Sequence, residues 1–136
     1  MSEDCLFCKI TKGDIPSKKI FENEDTLAFL DINPMADGHT IVIPKNHYET
    51  LGDLPDEEIN KLFQTVKKVA KQIYSNLNSD GYNIVMNNYS AAGQMIKHTH
   101  IHIIPRKQGD KLIKLEVPKE PAEEEELDKV LNKIKG

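Results

Sequence analysis

The chain has 136 residues, 38% of them hydrophobic and 29% charged, with a net charge of −4. That is the make-up of one ordinary globular domain, and its acidic balance argues against sequence-independent nucleic-acid binding. No apolar run approaches the roughly 20 residues needed to cross a bilayer. The acidic start Met1-Ser2-Glu3-Asp4 lacks the basic-then-apolar pattern of a secretory signal, so a cytoplasmic location is expected.

Arg106 is the single arginine among 18 basic residues, which rules out clamping of a phosphate or carboxylate by several guanidinium forks. Tryptophan is absent and aromatic residues are few, leaving little for a base-stacking platform. Two cysteines, Cys5 and Cys8, are too few and too close to make a disulfide scaffold.

In chain order, residues 5–12 read as a short helix or turn closed by Gly13 and Pro16. Two strands are predicted at about 17–23 and 26–31, split by the polar Glu22-Asn23-Glu24-Asp25 turn. The turn residues of 33–38 predict a loop, followed by a β-branched strand from His39 to Ile43 that Pro44 stops. Residues 55–77 are the strongest helix: Pro55 and three acids open it. Ile59, Leu62, Phe63, Val66, Val69, Ala70, Ile73 and Leu77 form one apolar stripe. A strand is predicted at 82–87, a small-residue loop at 90–93, and a strand from His98 to Ile104 ended by Pro105. Beyond Pro121, glutamates open a last helix whose Leu127, Val130, Leu131 and Ile134 share a face. Neighbouring strands with helices between and after them give an α+β class, an antiparallel meander with a long helix and a C-terminal helix.

The stretch His98-Thr99-His100-Ile101-His102 carries the most chemistry. Side chains alternate along a strand, so His98, His100 and His102 share one face while Thr99, Ile101 and Ile103 point into the core. At about 3.3 Å per residue, adjacent histidines stand roughly 6.6 Å apart and the outer two roughly 13 Å, too far to meet on one small atom. A polyatomic ligand suits such a row. Three readings compete: a solvated polar face, a metal site, and imidazole acting as nucleophile and acid at phosphorus. With an ordinary pKa of about 6.5, much of an imidazole is neutral and nucleophilic near pH 7. The preceding loop, Ser90-Ala91-Ala92-Gly93-Gln94, can bring backbone N–H groups close to an anion. No P-loop and no Rossmann fingerprint occurs.

The run Gly93-Gln94-Met95-Ile96-Lys97-His98-Thr99-His100-Ile101-His102-Ile103-Ile104-Pro105-Arg106 resembles the signature of the histidine triad (HIT) family, His-φ-His-φ-His-φ-φ with φ apolar. Thr99 is a mild departure from it. The likeness extends upstream through Cys5–Ile10, Ile15-Pro16, residues 28–34, Gly38-His39, residues 42–47 and Asn87, and so covers about 5–110. It is closest to the nucleotide-binding, Hint-like branch of bacterial type. It implies a HIT fold, a HIT domain over 5–112, and a C-terminal extension over 113–136 with an acidic amphipathic helix.

On this resemblance, His100 would attack the α-phosphorus of a purine nucleoside phosphoramidate or dinucleoside polyphosphate, giving a nucleotidyl-histidine that water cleaves. His102 would contact the phosphate, and His39 and His98 would complete the histidine cluster. Asn87 and Gln94 would bind phosphate oxygens or the leaving group, and Asp31 the ribose hydroxyls. Leu6, Phe7, Ile10, Phe29 and Ile32 would pack around the base. Met95 replaces a small hydroxyl residue of the closest Hint relatives, removing a donor to the leaving group. The residues alone read more plainly: Asp31 as a turn cap, Asn87 as a strand end, and Phe7, Ile10, Phe29 and Ile32 as core.

Cys5-Leu6-Phe7-Cys8 has the spacing of half a zinc site and lacks the preceding strand of a thioredoxin-like pair. The five histidines are the remaining imidazole ligands on offer; two inert thiols are the other reading. Resemblance to zinc-containing family members and to galactose-1-phosphate uridylyltransferases points to His47 and His98, hence a structural Cys2His2 zinc. The family further implies a homodimer and a chemistry that requires no catalytic metal. Two alternatives stand beside it: zinc-hydroxide hydrolysis at the histidine row, and a non-catalytic purine-nucleotide sensor or scaffold.

Overall fold

A computed structural model describes residues 4–113 and 116–136. The expectations touching Met1–Glu3 and residues 114–115, beside the start of the C-terminal extension, lie outside the described residues. Helix α1 (Leu6–Lys12) leads into β1 (Lys19–Glu22), β2 (Thr26–Leu30) and β3 (Thr40–Pro44). The long helix α2 (Asp56–Asn76) follows, then β4 (Gly81–Val85), β5 (Ile101–Arg106) and α3 (Glu124–Lys135). All neighbouring strands are antiparallel in the order β1-β2-β3-β5-β4. The first three strands are sequential, and β5 inserts between β3 and β4. The histidine-bearing strand is therefore in the sheet's interior.

The alternation of side chains decides which residues meet which helix. Ala28, Val42, Ile101 and Ile103 point to the α2 side, where Leu62, Val66, Val69, Ala70 and Ile73 complete the larger core. Leu27, Phe29, Ile41 and Ile43 point the other way, against Cys5, Phe7, Cys8 and Ile10 of the N-terminal segment. Both faces of the central strands are thus covered, one by α2 and the other by α1. Two members of the predicted α2 stripe do not join the core: Phe63 and Leu77 are exposed. Phe63 flanks the stripe, and Leu77 is the cap residue just past the helix's last turn.

The predicted strand 98–104 is shifted along the chain. Ladder pairing with β3 spans only Thr40↔Ile103 to Val42↔Ile101, so regular structure begins at Ile101 and His98–His100 are held by other contacts. The strand continues through Pro105, opposite Tyr82, where β4 is its ladder partner and a missing N–H is tolerated. The apolar face of α3, with Leu127, Val130, Leu131 and Ile134, stays exposed.

Candidate active site and metal centre

A cavity of about 640 Å³ opens on the α1 side of the sheet, lined by Phe7, Ile10 and Phe29 on its apolar wall and by Asp31, His39, His100 and His102 on its polar one. Leu6, Ile32 and Asn87 also line it, as do Met35 and Met95. His98 and Gln94 do not. The Gln94 amide is used internally: its Oε1 accepts from the Tyr89 N–H at 2.7 Å, and its Nε2 donates to the carbonyls of Glu49 and Ile96 at 2.6 and 3.1 Å. It braces the loop instead of facing a ligand. Gly93 (φ +95°) brings that loop past Asn87: a Cβ there would lie 3.6 Å from Asn87 Nδ2.

His100 is buried, and its Nδ1 lies 2.7 Å from the carbonyl of His98. A carbonyl only accepts, so Nδ1 carries the hydrogen and Nε2 keeps its lone pair. Phe7 packs edge-on against the ring at 5.0 Å. Burial pulls the His100 pKa below its ordinary value, opposed by the His98 carbonyl and by Asp31. The ring is neutral at pH 7 and able to act as a nucleophile.

The other two imidazoles form a directed chain. The Met35 N–H donates to His39 Nδ1 at 3.0 Å, so a neutral His39 carries its hydrogen on Nε2. His39 Nε2 lies 2.9 Å from His102 Nδ1, which is then the acceptor, and His102 Nε2 bears the hydrogen. Burial, then the His100 and His39 rings, pulls His102 down to about 4. Burial lowers His39 as well, with Asp31 opposing. A lone pair on His100 and an N–H on His102 thus stand on rings whose centroids are 5.1 Å apart.

Cys5, Cys8, His47 and His98 meet on the far side of Phe7 with their ligand atoms within 4.8 Å of one another. His98 Nδ1 lies 3.3 Å from Cys5 Sγ and 3.6 Å from Cys8 Sγ, and His47 Nδ1 lies 3.3 Å from Cys8 Sγ. Ligand atoms roughly 2.0–2.3 Å from a tetrahedral zinc are about 3.5 Å from one another, so this donor set fits such an ion. The surroundings agree. His98 Nε2 donates to the Pro44 carbonyl at 2.8 Å, which leaves Nδ1 as the ligating nitrogen, and Cys5 Sγ accepts the Cys8 N–H at 3.2 Å. Burial brings the His98 pKa to about 4. Asp31, His39 and His102 form a second cluster of ligand atoms. It fails the same test: the other nitrogen of His39 faces an N–H, whereas a metal-bound histidine needs an acceptor there.

His98 is on the sequence run with His100 and His102 but lies outside the cavity that they line. Its ring belongs to the cysteine centre, while its carbonyl holds His100. Sequence reasoning missed the backbone groups of Met35, Pro44 and His98, since a peptide N–H or C=O is common to nearly every residue and leaves no letter to read.

A two-sided α+β sheet with a buried neutral imidazole beside a second, oppositely oriented imidazole on a cavity wall is the class that this geometry defines. The HIT domain model matches residues 12–109, and the chain belongs to the HIT family. It is 48% identical to an uncharacterized HIT-like protein of Methanocaldococcus jannaschii, over 97% of this chain and 99% of that one. It is 38% identical to the adenosine 5'-monophosphoramidase of Candida albicans, over 96% and 89%. Among solved structures, a zinc-bound histidine triad family protein from Mycobacterium smegmatis superposes with a TM-score of 0.77 at 38% identity, covering 97% of this chain and 96% of that one.

Proposed function

We propose that the protein is a nucleotide hydrolase or nucleotidyltransferase. It acts at the α-phosphate of a purine nucleoside phosphoramidate or dinucleoside polyphosphate, through a nucleotidyl-His100 intermediate. The observation that carries this reading is the 2.7 Å bond from His100 Nδ1 to the His98 carbonyl, which leaves Nε2 bare toward the cavity. The similarity to an adenosine 5'-monophosphoramidase supports the substrate class.

In the first step the Nε2 lone pair forms a bond to phosphorus. The bond to the leaving group breaks, and that group departs with the electron pair and a proton drawn from water. The His98 carbonyl stabilises the positive charge that then develops on the ring. The His102 Nε2–H is a donor for phosphoryl oxygens. In the second step water attacks phosphorus and gives up a proton to the hydroxide left by the first step, the P–N bond to His100 breaks with its electron pair returning to the ring, and the neutral imidazole is restored. Asp31 accepts from the ribose diol, the apolar wall of Phe7, Ile10, Phe29 and Ile32 takes the base, and Asn87 takes a phosphate oxygen.

Rapid-quench mass spectrometry with an adenosine phosphoramidate is the test. An adenylyl adduct is expected on the wild-type chain and not on His100→Ala. AMP bound tightly by a wild-type chain that never forms the adduct or turns over would establish the sensor reading in its place.

The cysteine centre is proposed to hold a structural zinc, supported by its donor set and by the zinc-bound relative. Metal analysis of protein purified without added zinc should give about one ion per chain. A small fraction of that rules the zinc out. A homodimer is proposed as well, supported by the exposed Tyr82 and Ile84 on the edge strand β4 and by the uncovered face of α3.

A further inference from the structure

The proposed chemistry needs His102 to meet phosphate with a hydrogen and not with a lone pair. Nothing in an isolated imidazole decides this, because the two neutral tautomers are close in energy and either ring nitrogen can carry the proton. Something fixed must break the symmetry. The cavity wall contains one such group. We propose that the backbone N–H of Met35 sets the direction of the His39–His102 chain and so makes His102 a donor toward the substrate, with Met35 as a positioning residue acting through its amide.

Five contacts bear on this. The Met35 N–H lies 3.0 Å from His39 Nδ1, a normal hydrogen bond whose polarity cannot be reversed, since a peptide nitrogen donates and does not accept. His39 Nε2 must then carry its ring's hydrogen, and at 2.9 Å it donates to His102 Nδ1. The Asp31 carboxylate is 3.5 Å from His39 Nε2, which favours a hydrogen on that same atom, but the distance is too long to set the tautomer. His100 touches His102 ring to ring and is turned the other way by the His98 carbonyl. A carbonyl fixes the acceptor ring and an amide fixes the donor ring. The two neighbouring imidazoles are identical in chemistry and opposite in role because two opposite backbone dipoles hold them.

The opposite tautomer would turn the His102 Nε2 lone pair toward phosphate oxygens, replacing attraction with repulsion. Loss of a positioned donor to developing oxyanion charge typically costs about 10²–10³ in kcat.

The test replaces residue 35 of the full-length chain by the α-hydroxy analogue of methionine. This turns one amide into an ester and deletes the N–H while the side chain stays. The nitrogen chemical shifts of the His39 and His102 rings report which atom is protonated. The wild type is expected to show Nε2-protonated rings at both positions. In the ester, His39 Nδ1 faces an oxygen and the hydrogen moves toward Nδ1 on both rings, with kcat down by about a hundredfold. Met35→Leu, which keeps the N–H, should retain the wild-type pattern. Met35→Pro deletes the same N–H by another route and should repeat the ester's ring pattern, which covers the case of an ester chain that folds poorly. Unchanged ring protonation in both N–H-deleted chains overturns the inference.

The rate effect rests on the hydrolase reading, but the ring pattern does not. Tautomers that shift in a protein never forming an adenylyl adduct would leave the inference standing and remove the hydrolase. An adduct forming in a protein whose tautomers ignore the amide would do the reverse.

Discussion

Gly38 holds φ at +91°, where an L side chain is strained, and a Cβ there would run into the Leu77 side chain and meet the Pro105 ring at 3.3 Å. Leu77 is exposed and can swing away, so the backbone conformation carries most of the cost. Gly38→Ala is expected to lower stability by about 1–2 kcal/mol. Urea unfolding monitored by circular dichroism measures this, and an unchanged midpoint would contradict it. Its neighbour His39 belongs to the imidazole chain, so the same variant should disturb the His39 ring signals. At this scale the sequence was informative about position: the alternation placed His100 and His102 on one face, and both line the cavity. It was uninformative about Gln94, whose amide looks the same in a primary sequence whether it faces a ligand or, as here, three backbone groups.

Among the elements, α1 depends most on a centre outside itself. It has seven residues, too few for a helix to persist alone, and Gly13 (φ +85°) ends it. Cys5 caps it and Cys8 lies in its first turns, and these two meet His47, just beyond β3, and His98, before β5. Removing the proposed zinc should therefore loosen α1 before α2. Hydrogen exchange is the measurement: the Lys9 N–H, bonded to Cys5 O at 3.1 Å, should exchange faster after chelation and recover on adding zinc, while α2 amides hold. Equal protection with and without metal would remove the anchoring role. The β elements were readable from residue type and turn chemistry. The start of β5 was not, because it depends on where β3 stops supplying partners, a long-range fact that local propensity does not encode.

For the whole molecule, burial of neutral imidazoles ties stability to acidity. His102 is held at about 4 against an ordinary 6.5, chiefly by burial. Between those values the unfolded chain binds a proton that the native ring refuses, so stability is expected to fall as pH drops through that window. Urea midpoints at pH 7 and pH 4.5 check the sign, and His102→Asn should flatten the slope. A midpoint rising toward acid would contradict it. If His100 is the nucleophile as proposed, the rate should persist below the ordinary histidine range, because burial also lowers His100. Sedimentation equilibrium at micromolar protein should return twice the chain mass if the exposed β4 edge and α3 face are covered by a second copy. The two-layer covering of the sheet could be anticipated from the α2 stripe and the β-branched strands. That α1 would cover the other face could not, since seven residues carry too little periodicity to declare a partner.

The segment that carries His100 and His102 also serves the opposite core. Ile101 and Ile103 are fully buried against α2, with His100 and His102 turned to the cavity. A single ribbon of peptide separates hydrocarbon packing from the cavity where the proposed chemistry would take place. A methylene lost behind that ribbon would be felt in front of it, and turnover in this protein would then work as a sensitive gauge of how tightly its interior is filled.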